Sequence, residues 1–226
     1  MARLSLMALF VVVASAGCAT GDGVADADTD AGVDLGYTAA HFAVGVVDVT
    51  YGDGAGFGQD VFPEVVLGAP YGLGDGQGSV DVLSLGIGGS ITLQMGSVIM
   101  DDDGDDFVVF ENPFRFGAGV FTEAGQVSVS SDGETWHTFA CDVDTGEGCA
   151  GVAPVHLTLD DGDVDVADLS DEDGGDRFDL ADVGVEAATY VRIVDVGGKN
   201  GAEGASGFDL DAVAVLHPLE LILMDE

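Results

Sequence analysis

The feature that most constrains the fold is a series of short apolar segments separated by clusters of glycine and aspartate. Glycine occurs 36 times, and apolar runs of four to eight residues recur from about residue 39 onward. Several runs alternate, such as Val127 and Val129, which flank Ser128. Alternation with a period of two is typical of strands that bury one face. The pattern therefore predicts an all-β protein with many turns.

Ten segments fit this description of a strand. They are residues 41–50, 64–67, 79–85, 90–95, 107–110, 126–130, 136–140, 155–159, 190–194 and 210–216. No segment has the period of a long amphipathic helix, although 178–183 is long enough for one helical turn. So many strands in one domain favour two antiparallel sheets packed face to face, as a β-sandwich or jelly roll.

The N-terminus has the order of a secretion signal: Arg3, an apolar run, and then small residues in front of Cys18. The run is too short to span a bilayer, which needs roughly 20 apolar residues. The sequence SAGC at 15–18 is similar to the lipobox of bacterial lipoproteins, apart from its first residue. The similarity implies that Cys18 is lipidated, with cleavage near Ala16 as the alternative. Ala19 is not the Asp of an inner-membrane retention signal, so we expect the outer membrane or cell surface, or else a secreted or periplasmic protein.

The charge is strongly acidic, with a formal net value of −37. Removal of residues 1–17 takes away one base, Arg3, and no acid, so −37 becomes −38. The remaining basic residues are Arg115, Arg177, Arg192 and Lys199. Nucleic acid and anionic lipid are bound through clusters of Lys and Arg, so the composition excludes nucleic acid and indicates membrane contact through the lipid anchor only.

Four regions are expected along the chain. They are a lipoprotein signal peptide at 1–17, an acidic flexible tether at 18–38, a single β-sandwich domain at 39–218 and a C-terminal tail at 219–226. Within the domain, Cys141 and Cys149 are separated by a short loop. An exported chain meets an oxidising compartment, so we expect these two residues to form a disulfide.

Two motifs are similar to galactose-binding-like folds. The segment VSVSSDGETW at 127–136 predicts a strand, a tight Asp132-Gly133 turn and a return strand that opens with Trp136. It is similar to a hairpin of discoidin-like and other galactose-binding-like β-sandwich domains. The segment YVRIV at 190–194 is similar to another strand of the same fold.

Seven further blocks extend this resemblance over roughly residues 44–215. They are GFGQD at 56–60, PEVVLGAP at 63–70, GSVDVLSLG at 78–86, GGSITL at 88–93, DDFVVFENPF at 105–114, GGDRFDL at 174–180 and GFDLDAV at 207–213. In this order they closely resemble a family of bacterial cell-surface proteins and lipoproteins of poorly defined activity. The resemblance implies a secreted or surface-anchored β-sandwich module and no known reaction.

Catalytic signatures are weak. The four histidines are solitary, which leaves no zinc motif, and no nucleophile elbow or phosphate-binding loop is recognisable. We therefore expect that the protein is not an enzyme. Among 42 acidic residues, a carboxylate pair of the kind that glycoside hydrolases use stays an alternative.

Calcium is the favoured cofactor, because hard cations bind carboxylates and carbonyls in glycine-rich loops. Two acidic clusters are candidates for its ligands: the run 101–106, with Asp101, Asp103 and Asp105 as the named ligands, and the block that holds Asp176, Asp179 and Asp182. The alternative for the first cluster is a solvated turn. For the second, Asp176 and Asp179 would cap backbone amides and pair with Arg177.

Glu111 and Asn112 follow an apolar strand, at a position where loops carry function. They are candidate ligand-binding residues, or else they turn inward to hydrogen-bond a loop.

The function we expect is a lipid-anchored binding or adhesion module for an extracellular glycan or another surface macromolecule. A hydrolase and a structural surface protein are the alternatives. Sugar binding normally uses exposed Trp or Tyr as stacking platforms, and a buried Trp136 with scattered Tyr51 and Tyr71 would weaken the glycan hypothesis. The aromatic residues of this kind are Trp136, Tyr37, Tyr51, Tyr71 and Tyr190.

Overall fold

Antiparallel strands form most of the regular structure in the computed structural model of the chain. It describes residues 41–73, 77–157, 169–197 and 207–218. The predicted signal peptide, Cys18, the tether to residue 38 and the C-terminal tail lie outside the described residues. Within the described ranges, no helix is long and apolar enough to cross a membrane.

Twelve strands are present in these ranges. They are β1 (Ala43–Thr50), β2 (Leu83–Ser84), β3 (Ser90–Met100), β4 (Phe107–Phe110), β5 (Phe114–Phe116), β6 (Gly119–Phe121), β7 (Ala124–Ser130), β8 (His137–Thr138), β9 (Asp176–Phe178), β10 (Ala187–Gly197), β11 (Asp209–Leu210) and β12 (Ala212–Val215). Three short 3-10 helices cover Glu64–Val66, Asp171–Asp173 and Leu180–Val183.

The strands form two main sheets and two small ribbons. The larger sheet has the order β1-β3-β10-β7-β8, and the smaller one has the order β12-β4-β9. The ribbons are β11-β2 and β5-β6. Every pair among the described strands is antiparallel. Neighbours such as β3 and β10 are distant in sequence, so the topology depends on long-range pairing.

One hydrophobic core lies between the two main sheets. The larger sheet contributes Leu93 and Ile193, and the smaller sheet contributes Phe107 and Val213. All four side chains are fully buried. Burial of each apolar side chain of this size contributes roughly 1.5–3 kcal/mol. This packing of two antiparallel sheets confirms the predicted all-β sandwich.

The smaller sheet is buried on both faces. Val108 and Phe110 of β4 point away from the main core and join a second cluster with Ala212 and Ala214 of β12. A strand that is covered on both sides has no polar face, so its sequence is a continuous apolar run. The run Phe107–Phe110 is therefore the one strand whose bounds the sequence predicted without error.

Other strand predictions were wrong or too long. In the predicted strand 64–67, Glu64–Val66 form a 3-10 helix that buries Val65 and Val66 side by side, which an alternating strand cannot do. Residues 155–157 form no strand. The predicted strand at 79–85 is reduced to β2, because the preceding residues Ser79 and Asp81 form a turn in which the Ser79 hydroxyl accepts a hydrogen bond from the Asp81 amide.

The predicted Asp132-Gly133 turn is a longer loop, residues 131–136, and the return strand begins after Trp136. Asp132 Oδ1 accepts hydrogen bonds from the amides of Glu134 and Thr135 at 2.8 and 2.7 Å. These bonds lower the pKa of Asp132 to about 2. The aspartate thus organises the loop through its side chain, where a two-residue turn would rely on backbone geometry alone.

Candidate functional site

A disulfide closes the loop between β8 and the segment that returns to the sheet. Cys141 and Cys149 are bonded, with their Cα atoms 4.6 Å apart, as the sequence predicted. Asp142 Oδ1 accepts the amides of Asp144 and Thr145 at 2.9 and 3.2 Å. The loop is therefore held at its ends by a covalent bond and inside by one carboxylate.

Gly148 lets this loop approach the chain at Ala140. Its φ is +72°, and a Cβ atom added there would lie 2.1 Å from the carbonyl oxygen of Ala140. Both the left-handed backbone and the short approach exclude other residues. The glycine thus fixes the loop against the sandwich.

The loop forms one wall of a groove of about 580 Å³. We call it the disulfide groove, and its lining residues are Phe139, Ala140, Cys141, Asp142, Glu147, Gly148, Arg177, Phe178 and Asp182. Sites for small ligands are typically clefts of roughly 300–1,000 Å³ with apolar walls and a few polar groups. The volume and the mixed lining fit that description.

The floor of the groove is an aromatic cluster of the core. The ring of Phe178 lies 4.9 Å from that of Phe139 and 5.1 Å from that of Phe107, measured between centroids. Phe139 and Phe178 are each 4% exposed. Because their rings are held by core packing, the floor of the groove is rigid.

Arg177 is the cation among the groove-lining residues. It lies on β9, and its side chain is 14% exposed. Its Nε atom is 3.2 Å from Oδ1 of Asp171, which is exposed and does not line the groove. The contact is an ion pair and not a hydrogen bond. Nε and Nη2 are buried, and neither has a hydrogen-bond partner among the described residues. The predicted pairing of Arg177 with Asp176 or Asp179 is not what the structure shows.

The structure brings parts of the two predicted calcium clusters together. Phe107 of β4 pairs with Phe178 of β9 in antiparallel register, so the preceding Asp106 lies beside the following Asp179. Asp101 completes the group, and one carboxylate oxygen from each residue lies within 4.8 Å of the others. We call Asp101, Asp106 and Asp179 the aspartate triad.

The triad geometry suits a cation such as Ca²⁺. Calcium binds oxygen at 2.3–2.6 Å, so two ligands on opposite sides of the ion are roughly 5 Å apart. Asp106 is held in place because its two oxygens accept the amides of Asp102 and Leu180 at 2.9 and 2.7 Å. Burial raises its pKa despite these bonds. The sequence analysis placed Asp106 at the end of the acidic run 101–106 but did not name it as a ligand.

The other predicted metal ligands are placed elsewhere. A second hollow lies beside the triad and is lined by Asp101, Asp103 and Asp179, among other residues. Asp103 is exposed there. Asp105 is also exposed, but it lines neither this hollow nor the disulfide groove. Asp182 lines the disulfide groove. Asp176 accepts three backbone amides, from Gly151 to Ala153, at 2.7–3.1 Å. Burial raises the pKa of Asp176 to about 6.

Glu111 and Asn112 both turn inward. Glu111 is 3% exposed, and its Oε1 accepts the amide of Asp209 at 3.1 Å. Asn112 Oδ1 accepts the amide of Ser79. Burial, with the charge of the nearby Asp209, raises the pKa of Glu111 well above its ordinary value. The inward alternative of the sequence analysis describes both residues.

Further buried carboxylates hold the closing segment 207–211 in the same way. Glu123 accepts the amide of Gly207 at 2.9 Å, and Asp195 accepts that of Phe208 at 2.9 Å. Asp211 accepts the amide of Tyr71 with both oxygens at 3.0 Å. Burial raises the pKa of Glu123 to about 7 and that of Asp211 to about 8. None of these acids lines the disulfide groove. The raised pKa values therefore belong to buried carboxylates that hold the backbone through hydrogen bonds.

Among the described residues, Trp136, Tyr51 and Tyr71 do not form an exposed aromatic platform, which weakens the glycan hypothesis. Trp136 is half-buried, and the guanidinium of Arg192 lies 3.7 Å from its ring centroid. Tyr51 is 39% exposed and contacts the edge of Phe62. Tyr71 is half-buried. One face of the single tryptophan is therefore already occupied, and Tyr51 is the more accessible of the two tyrosines.

No known protein family matches the sequence, and no curated protein is similar to it. Among solved structures, the chain is similar to CpGH89CBM32-5 from Clostridium perfringens, in complex with GalNAc-beta-1,3-galactose. The two chains are 16% identical, with a TM-score of 0.30, and the match covers 58% of this chain and 68% of that one. The predicted resemblance to bacterial surface lipoproteins stays a prediction.

Proposed function

We propose that this protein is a lipid-anchored, calcium-stabilised module that binds carbohydrate at the surface of a bacterial cell. The disulfide groove carries the proposal. It has the volume of a ligand site, a rigid aromatic floor, and carboxylate and guanidinium groups that accept from and donate to hydroxyl groups. Binding is favoured over hydrolysis, because the buried acids with strongly raised pKa values hold the backbone and lie outside the groove.

The test is a glycan array probed with the full chain and with a variant whose groove is filled. Ala140 is exposed and lines the groove, so Ala140→Trp places an indole in the ligand volume without disturbing the core. Ala118→Trp is the matched control, since Ala118 is an exposed alanine outside the groove. We expect binding that Ala140→Trp weakens at least tenfold and that Ala118→Trp preserves. Binding that survives Ala140→Trp contradicts the proposed site.

The calcium part of the proposal is supported by the aspartate triad. Three carboxylates converge within 4.8 Å in a protein of net charge −37, and the buried Asp106 is fixed by two amides. A bound Ca²⁺ would neutralise their repulsion and link β4, through Asp106, to the 3-10 helix Leu180–Val183, through its N-cap Asp179. The expected result is a more stable fold.

Melting curves at matched ionic strength with calcium, magnesium or sodium separate binding from screening, because screening depends on ionic strength rather than on ion identity at a site. At a hundredfold excess over Kd, binding contributes about 2.7 kcal/mol. Asp179→Asn keeps an N-cap acceptor and is expected to abolish the calcium-specific shift. Asp105→Asn removes an equal charge outside the triad and is expected to retain it. An unchanged shift in Asp179→Asn refutes the site.

The anchor rests on the sequence at 15–18. Cys18→Ala is expected to move the protein from the membrane fraction to the soluble fraction, with Ser15→Ala as a control that leaves the cysteine in place. Continued membrane association of Cys18→Ala would contradict lipid anchoring.

A further inference from the structure

The disulfide groove has an uncompensated negative charge. Three of its lining residues are acidic, Asp142, Glu147 and Asp182, and Arg177 is the basic residue among them. All three carboxylates are on exposed residues, two from the disulfide loop and one from the 3-10 helix Leu180–Val183. They therefore border the groove on two sides.

The charge of Arg177 is compensated largely by Asp171, outside the groove. Its Nε atom is paired with Asp171 at 3.2 Å, and Asp171 does not line the groove. The side chains of Glu147 and Asp182 have no hydrogen bond or ion pair with any other described residue. Two carboxylates of the groove lining thus have no partner among the residues that the structure describes.

A cleft lined by charges of one sign concentrates ligands of the opposite sign. The overall charge of −37 acts in the same direction and repels acidic sugars such as uronic acids. A neutral sugar would satisfy the hydrogen-bonding groups but leave the charge uncompensated. A sugar with a protonated amine would form these hydrogen bonds and would also compensate the charge.

We propose that the disulfide groove selects amino sugars with free amines over N-acetylated and acidic sugars, an inference that rests on the carbohydrate-binding function proposed above. Glu147 and Asp182 pair with ligand ammonium groups, and Asp142 and Arg177 contact hydroxyl groups. Each exposed ion pair is weak, and such pairs weaken further with salt. Two pairs, with attraction by the whole acidic surface, give a preference of about tenfold at low salt.

The experiment is calorimetric titration of the full chain with a glucosamine tetramer and with its fully N-acetylated counterpart, at 50 mM and 500 mM sodium chloride. The free-amine tetramer is expected to bind about tenfold more tightly at low salt, with a smaller preference at high salt. Glu147→Gln and Asp182→Asn are each expected to reduce the preference about threefold. Glu134→Gln, an exposed glutamate on the loop 131–136, is the matched control and is expected to preserve it.

The outcomes separate the two proposals. Equal affinity for both tetramers overturns the selection for amines and leaves carbohydrate binding standing. Absence of binding by either tetramer, together with a blank glycan array, overturns both. A tetralysine peptide that binds as tightly as the free-amine tetramer shows recognition of charge alone, which overturns the sugar selectivity. A preference that Glu147→Gln and Asp182→Asn leave intact overturns the assignment to this groove.

Discussion

Asp176, Glu111, Glu123 and Asp211 share an environment that is uncommon for acidic side chains, because burial raises the pKa of each while main-chain amides donate to it. The amides that donate to Asp176, Glu123 and Asp211 come from loops, and the one that donates to Glu111 belongs to Asp209 in the two-residue strand β11. A buried amide without a partner costs about 1–3 kcal/mol, so the carboxylates replace the missing ladder bonds.

The strongest test at this scale is Asp176→Ala, which removes the acceptor of the amides of residues 151–153. Water will reach some of them, so we expect a loss of about 2–3 kcal/mol in unfolding free energy, measured by urea denaturation. Asp60→Ala removes an exposed acid and is expected to change stability by less than about 0.5 kcal/mol. Equal stability of the two variants would contradict the structural role of Asp176.

At the scale of elements, the disulfide loop is a covalently closed wall of the groove. Cys141 and Cys149 are separated by eight positions, and cross-linking so short a loop contributes roughly 2–3 kcal/mol in the chain-entropy description. Since Cys141, Asp142 and Glu147 all line the groove, the bond connects the stability of the fold with the proposed ligand binding.

The double variant Cys141→Ala, Cys149→Ala is therefore expected to unfold about 2–3 kcal/mol more easily and to bind the groove ligand more weakly. Guanidinium denaturation with and without reductant measures the effect. Reductant is expected to destabilise the natural chain to the same extent and to leave the double variant unchanged. A natural chain that reductant does not destabilise would refute the role of this bond.

Individual strands were predictable where local sequence determines burial. The run Phe107–Phe110 is apolar throughout because both of its faces are covered, and β7 alternates because one face is partly polar. The ribbon β5-β6 was missed because Arg115 interrupts a short aromatic segment. The aspartate triad could not be predicted, since it depends on the register between Phe107 and Phe178, which are distant in sequence. Short-range patterns carry no information about that pairing.

At the scale of the whole molecule, the buried carboxylates make stability depend on pH. The folded pKa values are about 7 for Glu123, about 6 for Asp176 and about 8 for Asp211, against ordinary values of 4.5 for Glu and 3.8 for Asp. Between about pH 4 and pH 8 the folded chain therefore binds protons that the unfolded chain has released. Unfolding free energy falls as pH rises through this window.

We expect the melting temperature to be higher at pH 5 than at pH 8, and a gain of about 2 kcal/mol corresponds to about 4–8 °C for a domain of this size. Reduced self-repulsion of the acidic surface acts in the same direction, so a variant is needed to separate the causes. Glu123→Gln keeps an acceptor for Gly207 but does not titrate. The melting temperature of this variant is expected to depend less on pH than that of the natural chain. An identical dependence would attribute the effect to net charge alone.

The placement of the basic residues also bears on resistance to proteases. Arg177 lies in β9, and Arg192 lies in β10 against Trp136. Enzymes that cleave after Lys or Arg need an extended, detached substrate, so a main sheet must open before either bond is reached. Arg115 is exposed in the small ribbon β5-β6. Limited trypsin digestion is expected to cut after Arg115 well before it cuts after Arg177 or Arg192, which the main sheets protect while they stay folded.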